Sequence, residues 1–449
     1  MAKGTFYTFA LTFIAGASLS GAMSSVFAQD LNPVGVIRTV EPELLAAPWT
    51  LRQCIDYAME NSLQVLSQQI NKETADISLE QAKGQMLPTL NFSSGINAGL
   101  PGKTVGTTFG LNSGYSLYQG SRLRNAVRQQ TLEGEAAGYD LEQTKIDLEI
   151  SVAQAYLQVM YCMEQLQIAR DGEQLSRTQY ERGEALMKAG SLTKGAVAQL
   201  KSEYASSTYQ VVSAENALST AKLQLKQLLE LGMAENFDII YPDIADDVTY
   251  AAIPDLEEIY GTALEDLPGM KSSRLAVESS ELAVEIAKGA YLPSLSVSAS
   301  ASTSAQLGEN YGTRLAQGRN EGIGLNLSVP IFNGKQVRSN VAKAKLQNRA
   351  SELQYSSTEK QLLNTLETLR NDALSARQKF LAATEQREAS EKSYEIVQGQ
   401  FERGAVTAVD LLNEKNNYIA ALSQQLQAKY QAVLAIKVLG RYMNEPIEL

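Results

Sequence analysis

The chain has 449 residues, 44% of them hydrophobic, with 39 basic against 50 acidic side chains and a formal charge of −11. That balance, with no basic block, argues against nucleic acid as a partner. Histidine is absent and cysteine occurs only at Cys54 and Cys162, which excludes Ser-His-Asp and Cys-His nucleophile systems, zinc fingers and most transition-metal clusters.

Residues 1–28 have the pattern of a signal peptide: Lys3, an apolar run through Phe9, Leu11, Phe13 and Ile14, then small residues with a cut expected after Ala28. A buried first helix is the alternative. No cysteine stands at the cleavage point, so a lipid anchor is not indicated there. No later run of 18 apolar residues occurs, so any membrane part of the mature chain must be a β-barrel.

Residues 29–49, with Pro33, Pro42 and Pro48, suit an extended tether. Thr50 can cap one helix over 50–87, on an apolar stripe begun by Leu51, Ile55, Ala58 and Met59. That helix runs into a junction, Ala82-Lys-Gly-Gln-Met-Leu-Pro-Thr-Leu90, in which Gly84 and Pro88 end it. Two strands follow, at 88–99 and 107–119, with an exposed turn holding Gly99, Pro101, Gly102 and Gly106 between them. Leu90, Phe92, Ile96, Ala98 and Leu100 share one face, as do Phe109, Leu111, Tyr115 and Leu117. The opposite faces carry only Thr, Ser, Asn and Gly.

A proline-free helix is expected over 121–187, roughly 100 Å long at 1.5 Å per residue. Part of it carries a heptad seam, with Val152, Val159 and Leu166 at one position and Leu148, Ala155, Cys162 and Ala169 at the other. Cys162 on that seam is either a core thiol or the partner of Cys54 in a disulfide. A turn at Gly190 reverses the chain into a helix over 194–229, completing a repeat over 50–231, and 232–255 links it to a second repeat over 256–441.

The second repeat follows the same plan. Its junction, Ala287-Lys-Gly-Ala-Tyr-Leu-Pro-Ser-Leu295, lies 205 positions after the first, with Gly289 and Pro293 standing for Gly84 and Pro88. Its helix 256–292 contains Pro268, which should kink it. Strands at 293–304 and 321–332 flank an exposed loop at 305–320, and a longer loop raises the offset to 214. A long helix over 335–402, a turn at Gly404, a return helix over 407–441 and a tail over 442–449 complete the chain.

The fold class is therefore mainly α with a membrane β part. Strands of about 10 residues, apolar on one face and small and polar on the other, have the transmembrane-barrel pattern, although a soluble sandwich shares the period. Four strands cannot close a barrel, and open edges in hydrocarbon each cost several kcal/mol. Sister chains must supply the rest, and three chains leave a lumen where two would not.

The duplicated Leu87-Pro-Thr-Leu90 and Leu292-Pro-Ser-Leu295, the strand exits Tyr118-Gln-Gly120 and Pro330-Ile-Phe-Asn-Gly334, and the turn from Phe401 to Asn413 followed by Tyr418 together resemble the TolC family of outer membrane efflux and secretion channels. The resemblance covers about residues 50–441. It implies a homotrimer with a 12-stranded barrel in outer membrane lipid and a periplasmic α-helical barrel. It also implies a passive exit duct that docks a periplasmic adaptor and an inner-membrane transporter, with no cofactor and no catalysis. In the family the periplasmic turns meet the adaptor, which assigns docking to Gly190, Leu192, Gly404 and Val406. Asp410 falls at the family's aperture aspartate, and three copies would form an acidic ring. A first-turn aspartate favoured by the helix dipole is the plainer reading of the same residue. The equivalent in the first repeat is Ala196, and the family's second aspartate is here Asn413, so closure must use other groups such as Arg403 or Lys188. An exported appendage built on long coiled hairpins is the rival reading; it accounts for the helices but not for four two-faced strands.

Overall fold

The structure, a computed structural model, describes residues 48–99, 104–232, 237–242, 252–308 and 310–448. The signal peptide expected at 1–28, the tether expected at 29–49 up to residue 47, the tip of the first strand connection and most of the 232–255 linker lie outside the described residues.

Helix α1 (Leu51–Asn61) starts with a full capping box, Thr50 accepting from the Gln53 amide while Gln53 accepts from Thr50. The single helix expected over 50–87 is in fact two. Ser62 adopts an extended conformation (φ −62°, ψ 127°) before α2 (Leu63–Gly84) begins. Leu267 has the same angles between α5 (Leu256–Asp266) and α6 (Pro268–Gly289). Proline marks that break in the second repeat; the first makes it without one, as Ser62 and Asn61 sink into the interior and the Asn61 amide donates to the Tyr57 carbonyl.

Between and after these come β1 (Thr89–Gly99), β2 (Thr104–Gln119), α3 (Arg122–Lys188) and α4 (Lys194–Leu228) in the first half. The second half continues with β3 (Ser294–Gln306), α7 (Tyr311–Gln317), β4 (Arg319–Ser328), α8 (Gln336–Glu402) and α9 (Ala408–Tyr442). Helices of 11, 22, 67 and 35 residues occur in that order twice, as α1–α4 and as α5, α6, α8 and α9. Two expectations need correction. The loop at 305–320 holds a helix, α7. Strand β4 stops at Ser328 rather than 332, since Pro330 has no amide hydrogen to give the ladder.

The strands form one antiparallel sheet in the order β1-β2-β3-β4. Its register gathers the apolar faces into one surface: Phe92 lies opposite Leu111, Leu111 opposite Ala301, Tyr115 opposite Val297, and Val297 opposite Leu325. Serines, asparagines and glycines fill the other surface. A bulge between Ser116 and Tyr118 takes Leu117 out of the pattern and sets Tyr118 opposite Leu295. None of the described residues covers most of the apolar surface, where Ile323 is 86% exposed and Phe92 69%. No helix among the described residues is long and apolar enough to cross a membrane.

The helical core is densest midway along α3, where Val152, Ala153, Tyr156, Leu157, Val159 and Met160 are all buried. A seam alone would bury one stripe. Here α1, α9 and a strap of extended chain add cover from other sides. The strap is Trp49 bridged in parallel to Ile239, with the Trp49 amide donating to the Asp238 carbonyl and the Ile240 amide to the Trp49 carbonyl. The Tyr156 hydroxyl donates to the Ile240 carbonyl beneath it, and burial pushes that phenol up. Cys54 and Cys162 are both buried free thiols, which settles the alternatives left by the sequence; burial pushes the Cys54 thiol up to about 12.

Candidate functional site

The sequence singles out the two helix reversals and the strand junctions. At the first reversal α3 ends on Lys188, and Gly190 takes a left-handed conformation (φ +80°); at the second α8 ends on Glu402, and Gly404 does the same (φ +74°). The Ser191 amide donates back to the Leu186 carbonyl and the Ala405 amide to the Gln400 carbonyl, the six-residue closure of a Schellman turn. Any side chain at either glycine would be strained, yet a Cβ there would meet nothing within 4 Å. Open space therefore adjoins both turn backbones.

Each return helix opens on a threonine. Thr193 accepts from the Ala196 amide at 3.2 Å, and Thr407 accepts from the Asp410 amide at 3.3 Å. Ala196 and Asp410 thus occupy the same helical position, but only Asp410 completes the box. Its carboxylate accepts from the Thr407 amide at 3.0 Å and the Thr407 hydroxyl at 2.6 Å, both on Oδ2. Those two bonds hold the carboxyl below the usual carboxylate range, the hydroxyl contributing most. Asp410 is exposed, and so is Asn413 one turn on.

Leu192 and Val406 are half-buried, packed with Ala196 against Leu200, Phe401 and Leu411 between the hairpins. Arg403 caps α8 and donates to the Gly399 carbonyl rather than to Asp410. The cross-hairpin ion pair near the tips is instead Arg182 with Glu402, at 2.8 Å. Further along the hairpins, Tyr180 stacks on Tyr204 and Tyr394 on Tyr418, each pair nearly parallel. The two stacks are 214 positions apart, the offset of the repeat.

Sequence reasoning missed Lys415. Its side chain is 1% exposed and donates to the Ser176 hydroxyl at 2.8 Å and to Glu203 at 2.6 Å, tying α9 to both α3 and α4. The available signal was its spacing: four residues after buried Leu411, it stands on the apolar stripe of α9, where a lysine needs a built-in partner. Lys415→Ala is expected to lower stability by about 3 kcal/mol. Thermal unfolding checks this, and Lys415→Met combined with Glu203→Gln should recover part of the loss by removing the unpaired carboxylate.

The junction glycines differ in their surroundings. A Cβ on Gly289 would lie 2.7 Å from the Gly120 carbonyl oxygen and 2.5 Å from Arg122 Cγ, whereas Gly84 faces open space. Pro88 and Pro293 stand one residue before the starts of β1 and β3.

A sequence model of outer membrane efflux proteins matches residues 54–230 and 259–445, one segment on each half of the fold. The chain belongs to this outer membrane efflux protein family. Outer membrane efflux protein BepC of Brucella suis biovar 1 is 22% identical over 372 residues, spanning 82% of this chain and 78% of BepC. Outer membrane protein TolC of Vibrio cholerae is 22% identical over 403 residues, spanning 88% of this chain and 90% of TolC. The crystal structure of the outer membrane protein VceC from Vibrio cholerae superposes with a TM-score of 0.76 at 18% identity, over 89% of this chain and 97% of VceC. The efflux-family fold thus extends over nearly all of the described residues.

Proposed function

We propose that this chain is the outer membrane exit duct of a tripartite efflux pump or type I secretion system. Three copies close a 12-stranded barrel in outer membrane lipid, and their helices continue it as a periplasmic tube. Cargo passes without chemistry from a periplasmic adaptor and an inner-membrane transporter to the exterior. The observation that carries the reading is the sheet: one apolar face, and two outer strands, β1 and β4, that among the described residues are paired on one side only. An open sheet of this kind is viable in lipid only when its edges are paired by further strands.

The hairpin tips supply docking and aperture. Gly190 and Gly404 offer turn backbone with free space around it, and Leu192 and Val406 stiffen those turns from beneath. An adaptor meeting the tips would find two similar surfaces per chain. Asp410 serves two purposes: Oδ2 closes the capping box, and the carboxylate as a whole gives each chain one exposed negative charge at the start of α9. The Thr407 bonds favour the charged form, so this charge persists as pH falls into the ordinary carboxylate range and is lost only below it. Three such groups around an axis attract cations and hinder anions.

In planar bilayers the purified protein is expected to conduct as a heat-modifiable trimer and to be blocked by multivalent cations from the periplasmic side. Asp410→Ala should weaken that block several-fold, and Ala196→Asp, which completes the second capping box, should strengthen it. Unaltered block in both variants would retire the acidic ring. A soluble, non-conducting monomer would retire the duct.

A further inference from the structure

At the end of the sheet remote from the long helices, the short helix α7 folds back over one face. Two hydrogen bonds fix it: the Tyr311 and Thr107 hydroxyls bond to each other, and the Thr303 hydroxyl donates to the Leu315 carbonyl. The strand register says which face this is. Thr107 is opposite Ala305 and Thr303 is opposite Phe109, so all four share the surface of Leu111, Val297 and Leu325. The helix therefore lies on the apolar side. Beneath it Thr107 and Ala305 are 8% and 7% exposed, whereas Leu325 on the same face is 66% exposed.

On β4 the apolar band ends at the same line. Beyond Ile323, the next residues of β4 on that face are Glu321, opposite Ala301, and Arg319, opposite Thr303. Among the described residues of the four strands and their connections, Arg314, Arg319 and Glu321 are the charged side chains, and all three are exposed. Hydrocarbon is a poor environment for them, so on β4 the lipid boundary falls at this line. Arg314 on α7 and Arg319 just after it then stand at the depth of the headgroup layer.

We propose that α7, with Arg314 and Arg319, is a binding site for the phosphate groups of outer-leaflet lipid headgroups. Guanidinium groups bind phosphate oxygens in pairs of hydrogen bonds and keep their charge at any accessible pH. The bonds to Thr107 and Thr303 hold α7 in place, so the arginines meet the phosphate with little ordering left to do. In a closed assembly the site recurs once per chain around the outside of the barrel. The inference rests on the sheet lying in a membrane.

The test uses the full-length protein purified in detergent and reconstituted into phosphatidylcholine vesicles containing lipid A or its enzymatically dephosphorylated form. After re-extraction, lipid retained per trimer is measured by mass spectrometry. Wild type is expected to retain lipid A over the dephosphorylated form, and the Arg314→Gln/Arg319→Gln double variant to retain on the order of tenfold less lipid A. Heat-modifiable migration of the double variant, unchanged from wild type, shows that its barrel has formed. Tyr311→Phe, which removes one of the two bonds holding α7 without touching charge, should give an intermediate loss. Equal retention of the two lipids by wild type, or equal retention of lipid A by wild type and the double variant, overturns the proposal. Failure of wild type to enter phosphatidylcholine vesicles at all overturns the membrane reading instead, and is scored separately.

Discussion

Leu325→Arg is expected to remove the protein from outer-membrane fractions, while Asn326→Arg, one residue along the same strand, leaves it there. The two positions differ only in face. Leu325 lies opposite Val297 on the apolar surface and Asn326 opposite Ser296 on the polar one. Leu325 is 66% exposed in the chain, so arginine at that position meets no steric barrier, and any loss must come from what surrounds the sheet. In hydrocarbon an arginine near the midplane costs about 2–4 kcal/mol, and a closed trimer bears that cost three times. On the polar side, which the proposed duct turns toward a water-filled lumen, the same residue would be hydrated. Folded trimer in outer-membrane extracts, compared by heat-modifiable migration, is the measurement. Equal tolerance at both positions would mean that neither face contacts lipid.

Much of this architecture was legible in the sequence because its strongest signals are local. Proline placement and period-2 alternation marked the strands, and the absence of proline marked the 67-residue helices α3 and α8. What was hidden depends on tertiary partners. The break at Ser62 has no proline to announce it; the clue was the alignment of Leu63 with Pro268, which says that both repeats bend at one place. Helix α7 is seven residues with no apolar stripe of its own, and it exists because Thr107 and Thr303 hold it to the sheet. Lys415 went unnoticed because its partners Ser176 and Glu203 are 239 and 212 positions away in the chain. Asp410 was legible as a first-turn aspartate and as an aperture residue by resemblance. The geometry adds that it is the half of a capping box that the first repeat lacks.

Gly289→Ala and Gly84→Ala should both impair the assembled protein, for reasons that lie in different places. Inside one chain the exit of the first strand pair packs on the second junction, with Gly120 and Gly289 in backbone contact. A methyl group on Gly289 would have to displace the Gly120 carbonyl and Arg122, an overpacking loss of about 1–3 kcal/mol. The counterparts of these two glycines by the repeat offsets are Gly334 and Gly84, and a Cβ at either one would meet nothing within 4 Å of the same chain. The helices show the same imbalance. Ser279 of α6 donates to Glu133 of α3, while the matching Thr74 of α2 and Gln347 of α8 are exposed, as are Ile70, Ile77, Leu346 and Leu353 around them. If each chain repeats between subunits the interface it holds within itself, Gly84 of one copy meets Gly334 of the next. Gly84→Ala then leaves the isolated chain unharmed, and even favours α2 by helix propensity, yet lowers the temperature at which the trimer dissociates in detergent. Cysteines placed at Thr74 and Gln347 should join neighbouring subunits into covalent trimers under mild oxidation, since native Cys54 and Cys162 are buried and unreactive. An unchanged or raised dissociation temperature for Gly84→Ala, together with no cross-linked product, would show that the subunits meet through some other surface.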